Sequence, residues 1–218
     1  MPTEITVQGT SSVRHAPERG TVHATISYEG PSMQPVYDRT ARDLAAVKES
    51  VIALHTDDGP VTWWSAQDLR TWSSRPWNQD GKQLPLVYHA QVRVDVRFRD
   101  FTALSRWVAQ HTNETEGFGV GRVEWTLTDD RRKELLRQVR TEAVQDAARR
   151  AQQYADALDL GAVRPVAIAD AGMLGSGMAR GRSAEMDLMA APGSAPDVEL
   201  APDEIKVSAA VDARFVAG

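Results

Sequence analysis

The stretch DRRKELLRQVRTEAVQDAARRAQQYADALDLG, residues 130–161, decides how the rest of the chain is read. Leu136, Val139, Ala143, Ala147, Ala151, Ala155 and Leu158 recur in steps of three and four, which gathers them on one stripe of a helix. Arg131, Arg132, Arg137, Arg140, Arg149, Arg150 and Asp156 supply the wet side. Asp129 or Asp130 suits the first cap, and Gly161 suits the left-handed residue beyond the last turn. At ~1.5 Å per residue the rod is roughly 45 Å long, and its apolar stripe needs a sheet to lie on.

Outward from that helix, strand signals stand on both sides. Before it, Gly121, Val123, Trp125 and Leu127 alternate with Arg122, Glu124, Thr126 and Thr128. After it, Val163 to Asp170 reads as a strand whose Pro165 suits an edge or a bulge. The clearest strand is Leu86 to Arg99, with Tyr88, Ala90, Val92, Val94, Val96 and Phe98 on one face. His89, Gln91, Arg93, Asp95, Arg97 and Arg99 take the other face.

Near the N-terminus, Ile5, Val7 and Gly9 make a short strand, and Val22, Ala24, Ile26 and Tyr28 a second. The turn from His15 to Gly20 predicts an antiparallel hairpin between them. Met33 to His55 is a helix with Val36, Thr40, Leu44, Val47, Val51 and Leu54 inward. Val61 to Ser74 reads as one strand before a wide turn. Asp100 caps a short helix carrying Phe101, Leu104 and Val108, and Asn113 to Gly119 is loop. Ile205 to Phe215 is regular enough for the middle of a sheet. The order β-β-α-β-β-α-β-α-β-β, with one apolar face per strand, predicts an α+β fold: a mostly antiparallel sheet with helices packed on one face. A single domain over residues 1–218 is expected. Residues 171–202, rich in Gly, Ala, Met, Ser and Pro, are read as a flexible or arm-like loop.

Composition narrows the function classes. The 218 residues contain no cysteine, which removes disulfides, thiolate metal sites and cysteine nucleophiles together. A net charge of −5 argues against a nucleic-acid partner. No run approaches the ~20 apolar residues of a membrane-spanning helix. The first residues show no basic n-region and no apolar h-region, so the expected location is cytoplasmic, or periplasmic and exported if the chain is a processed form.

Four segments carry a family resemblance. They are Ile5-Thr-Val-Gln-Gly-Thr through Ala16-Pro17, then Gly121-Arg-Val-Glu-Trp-Thr-Leu-Thr-Asp129, the alanine-rich helix end from Ala143 to Gly161, and Asp203-Glu-Ile-Lys-Val-Ser-Ala-Ala-Val211. Together they resemble the SIMPL-domain family of bacterial periplasmic and outer-membrane-associated proteins and animal signalling adaptors. Two positions depart from the family pattern: Glu18 stands where an Asp is usual, and the turn at Pro202-Asp203-Glu204-Ile205 lacks a Gly. The resemblance implies a compact α+β domain that tends to self-assemble. It implies no enzyme activity and supplies no catalytic residues.

No catalytic, cofactor or metal motif stands out. The five histidines, His15, His23, His55, His89 and His111, have no metal-ligand spacing and are expected at the surface. His23 and His89 would meet if their strands were neighbours. Asp57-Asp58 and Asp129-Asp130 sit at helix ends, where turns and caps account for them. Gly175 to Gly181 lacks the spacing of a phosphate loop.

Two surfaces remain. Trp63, Trp64, Trp72 and Trp77 concentrate four of the six tryptophans, and alternation sends Trp63 and Trp64 to opposite faces. With Met178, Met186 and Met189 of the late loop they form a candidate interaction set, since tryptophan anchors interfaces and methionine adapts to them. Arg93, Arg97 and Arg99, near Arg122 and Arg214, form a candidate anion face that Asp95, Glu124 and Asp212 can neutralise. The expected function is a non-enzymatic, self-associating scaffold or adaptor, a homo-oligomer with room for a protein partner and without a cofactor. The alternative is a small-anion or ligand binder.

Overall fold

A computed structural model describes residues 2–77, 79, 83–174 and 202–218. In chain order these form β1 (Thr3–His15), β2 (Arg19–Gly30), α1 (Met33–Leu54), β3 (Val61–Ala66), β4 (Arg70–Ser74) and β5 (Val87–Phe98). There follow α2 (Phe101–Glu114), β6 (Phe118–Thr126), α3 (Asp129–Ala157), β7 (Arg164–Asp170) and β8 (Ile205–Ala217). The fold is α+β with antiparallel sheets, as the patterning predicts. The stretch 61–74 divides into β3 and β4, both paired to β5. The strands form two sheets rather than one, and the chain divides into two compact units, each with its own sheet. Alternation marks which face of a strand is apolar but carries no information about which strands share a sheet.

The first unit holds β1, β7, β8 and α3. Its sheet runs β1-β8-β7, so β8 is central, as its regularity predicts. β1 and β8 pair without interruption from Thr3 opposite Ala217 to His15 opposite Ile205. That register overturns the expected hairpin between β1 and β2, which pair in different sheets. A short turn favours a hairpin locally, but thirteen uninterrupted positions opposite β8 satisfy far more backbone groups, and Pro17 has no N–H to help close a tight turn. β7 lies at the other side of β8, with a bulge between Pro165 and Ala167 where the ring costs the ladder least.

Helix α3 lies on this sheet through Leu135, Val139, Ala143, Ala147, Ala151 and Ala155. Leu135, not Leu136, leads the stripe, and Leu158 is 62% exposed because the helix ends at Ala157. The cap is Thr128, whose hydroxyl accepts from the Arg131 N–H, while Asp129 and Asp130 occupy the first turn, where the positive end of the helix dipole favours them. Asp159 and Gly161 both take positive φ beyond the last turn.

The contact with β1 is unusually close. A Cβ at Gly9 would lie 2.0 Å from the Ala143 carbonyl oxygen and 2.6 Å from the Ala147 nitrogen, so only glycine fits. The outer edge of β1 is also occupied by α3. The Thr10 N–H donates to Asp146 (3.1 Å), Arg150 donates to the Gln8 carbonyl (3.0 Å), and the Ser11 hydroxyl donates to Glu142 (2.6 Å). From 142 to 150 the helix rises ~12 Å and from 11 to 8 the strand advances ~10 Å, so the three helical residues keep approximate step with a strand running the opposite way. Two backbone groups of that edge, the Thr10 N–H and the Gln8 carbonyl, are thereby satisfied within the chain.

Among the described residues, the second unit comprises residues 17–126 together with 202 and 203. Its sheet runs β3-β5-β2-β6, with β4 pairing β5 beyond β3. One face carries Val22, Ala24 and Ile26 of β2, Val92, Val94, Val96 and Phe98 of β5, and Phe118 of β6. Val47 and Val51 of α1 and Leu104 and Trp107 of α2 close that face. Asp100 caps α2 by accepting from the N–H groups of Thr102 (2.9 Å) and Ala103 (3.1 Å), as predicted.

Candidate interaction face

The other face of the five-stranded sheet carries the polar half of each strand. On central β2, His23 stands opposite Asp95 of β5 and Arg122 of β6, and Thr21 opposite Arg97 and Glu124. On β3, Trp63 stands opposite Arg97 and Ser65 opposite Asp95, and on β4, Trp72 stands opposite His89. Paired residues of an antiparallel ladder share a face, so these side chains form one surface.

Its centre is His23. Nδ1 is 2.7 Å from the Asp95 carboxylate and Nε2 is 3.2 Å from that of Glu124. Only the imidazolium, with both nitrogens protonated, donates to both carboxylates. The two tryptophans flank this centre. Trp63 is 43% exposed with the Arg97 guanidinium 5.2 Å from its ring centroid. Trp72 is 44% exposed and stacks on His89 at 5.0 Å and 9°. His89 is held in turn by Ser74 (2.8 Å) and Glu29 (3.4 Å). Eight positions of β5 separate the two rows, so the rings stand roughly 26 Å apart. Trp64 turns to the core side, as alternation predicts, and Trp77 is 81% exposed outside the strands.

The predicted anion face is partly assembled. Arg93 and Arg97 share the open face and are exposed. Arg99 does not join them: β5 ends at Phe98, and its guanidinium donates to the carbonyls of Gly59 (2.8 Å) and Asp57 (2.6 Å). Arg122 lies on the face, but Arg214 belongs to the other sheet, 2.8 Å from Glu4. Asp95 and Glu124 are engaged by His23 rather than by arginine, and Asp212, in the other sheet, accepts from Gln8 and the Gly172 N–H. Met178, Met186, Met189 and the stretch from Gly175 to Gly181 lie outside the described residues.

Two expectations about histidine are corrected. His23 and His89 share a face but do not meet, because β2 and β5 run antiparallel and set Asp95 and Glu29 opposite them. His111 is not at the surface. It is 4% exposed, and burial pushes its pKa down against the upward pull of the Glu114 carboxylate. Leu104, Trp107 and His111 recur in steps of three and four, a helical stripe the residue identities hide because histidine is usually read as polar.

Among the described residues no group of three His, Asp or Glu side chains has the arrangement of a metal site, and no helix is long and apolar enough to cross a membrane. The SIMPL family, described as a protein of unknown function (DUF541), matches residues 5–215. The chain belongs to the SIMPL family. The match runs through both units of this SIMPL chain, and no curated protein compared with it matches.

Proposed function

We propose that this SIMPL protein is a non-enzymatic scaffold or adaptor that self-associates and docks protein surfaces through the open face of its five-stranded sheet. The observation that carries this reading is the pair Trp63 and Trp72, half exposed yet each held against a second planar group. Aromatic anchors whose rotamers are already set lose little entropy on binding, which is what interface hot spots require. The surrounding histidine, arginines and carboxylates supply the polar rim of such a surface. Light scattering at micromolar concentration tests the reading. The wild-type chain is expected to exceed the mass of a monomer, and Trp63→Ala with Trp72→Ala to lower that mass. A strict monomer that the double substitution leaves unchanged, in mass and in partner capture, removes it.

A second reading, a small-anion binder, is favoured by Arg93 and Arg122, which make no ion pair among the described residues. Two guanidiniums on one rigid face suit carboxylate or phosphate. Thermal shifts against a panel of phosphates and carboxylates separate the two readings: a shift abolished by Arg93→Gln with Arg122→Gln supports the second, and no shift removes it.

A further inference from the structure

Among the described residues of the second unit, the buried side-chain atom without a hydrogen-bond partner is Nδ1 of His111, on α2. It sits between Trp107, edge-on at 4.9 Å, and Phe118 of β6 at 5.5 Å. Nε2 is 2.7 Å from the Ser50 hydroxyl on α1, while Nδ1 is buried and has no hydrogen-bond partner. The Ser50 oxygen also accepts from Trp107 Nε1 (3.0 Å) and lies 2.7 Å from the Val47 carbonyl.

Counting protons assigns the tautomer. If Ser50 donates to Nε2, an N–H at Nδ1 is left buried without an acceptor and the Val47 contact is unused. If Nε2–H donates to Ser50, Ser50 donates to Val47 and accepts from Trp107 and His111 together. Every donor is then satisfied, and the one orphan is the Nδ1 lone pair. An orphan acceptor is the lesser cost, so the neutral ring carries its proton on Nε2. A second proton has one place to go, Nδ1, where no acceptor waits.

We infer that His111 is an acid-sensitive latch: a proton taken up at Nδ1 keeps the Nε2–H bond to Ser50 but buries a charge and an N–H with no acceptor, and that cost favours the parting of α2 from α1 as pH falls. The groups facing the ring from α1 and β6 are Ser50 and Phe118, and neither titrates in this range. The charge that reaches it is Glu114, on α2 itself, and burial outweighs it. The unfolded chain binds this proton more readily than the folded one. Stability from the neutral ring is therefore complete above about pH 6.5 and declines as pH drops below it toward the lowered folded value.

The test uses the full chain. All six tryptophans, Trp63, Trp64, Trp72, Trp77, Trp107 and Trp125, lie in the second unit, so their fluorescence reports on it. Between about pH 8 and about pH 5 the wild-type melting temperature is expected to fall by ~3 °C or more beyond that of His111→Gln, whose amide still donates to Ser50 but does not titrate. Nitrogen-15 spectra of the wild-type imidazoles give an independent reading if the variant fails to fold. His111 should remain in its Nε2–H form below about pH 6.5, where an ordinary imidazole becomes charged. Equal pH slopes in the two proteins, or protonation of His111 at or above about pH 6.5, overturn the latch.

Discussion

The two units solve the same problem, a helix laid on an antiparallel sheet, with opposite kinds of side chain. Around α3 the contact is made of alanines against Gly9, and the backbones come close enough to exclude a methyl group. Under α1 and α2 the space is filled by valine, leucine and aromatic rings, including Phe98 tilted against Trp107 at 5.7 Å. The first arrangement tolerates no added atom and the second no missing one, because overpacking and cavities are both penalised in a close-packed interior. The difference also separates their polar chemistry. The close approach of α3 lets Glu142, Asp146 and Arg150 reach strand groups at the surface, whereas the bulkier packing of the second unit buries His111 against the half-buried Ser50.

The largest effect expected from this contrast is Phe98→Ala, which removes a fully buried ring and should cost ~3–5 kcal/mol. Tryptophan fluorescence should register the loss together with the circular dichroism of α1 and α2, while the helical signal of the 29-residue α3 persists to a later transition. Next comes Gly9→Ala, a single methyl group, expected to cost ~1–3 kcal/mol and to appear first in circular dichroism. Coincident transitions by both probes in both variants would break the comparison by showing one cooperative body. Asp100→Ala removes the cap of α2 and should cost ~1 kcal/mol, again read by fluorescence.

The smallest effect sharpens the contrast in pH. Hydrogen bonds from Thr10, and after them Arg149, hold the Asp146 carboxyl below its usual range, and Ser11 and Gln138 do the same for Glu142. Carboxylates with depressed folded pKa values contribute stability that is complete above their unfolded values and is lost as pH falls through the folded ones. The contribution of these two carboxylates should therefore be lost below about pH 4, beneath the window of His111. Asp146→Asn should flatten that acid limb slightly in circular dichroism and leave the fluorescence profile unchanged.

Legibility followed the range of each interaction. The stripe of α3 was readable except at its ends, where Leu136 and Leu158 keep the period but Leu135 and the stop at Ala157 decide burial. The alternating faces of β5 and β2, the opposed Trp63 and Trp64, and the Asp100 cap were readable because each depends on neighbours a few residues away. His23 between Asp95 and Glu124 was not, since those three residues meet only through the register of β2 with β5 and β6. Nor was the departure of Arg99, which keeps the strand's period but lies one residue past its end.

From the order of residues came the class of fold, the face each strand turns inward and the family, since side-chain period and small-residue positions are local or linear features. Tertiary structure alone chose β8 as the partner of β1, split the strands into two sheets, required glycine at position 9 and buried His111. Each of those depends on groups far apart in the chain, whose pairing is selected by how many backbone and side-chain groups it satisfies at once, and no local pattern records that total.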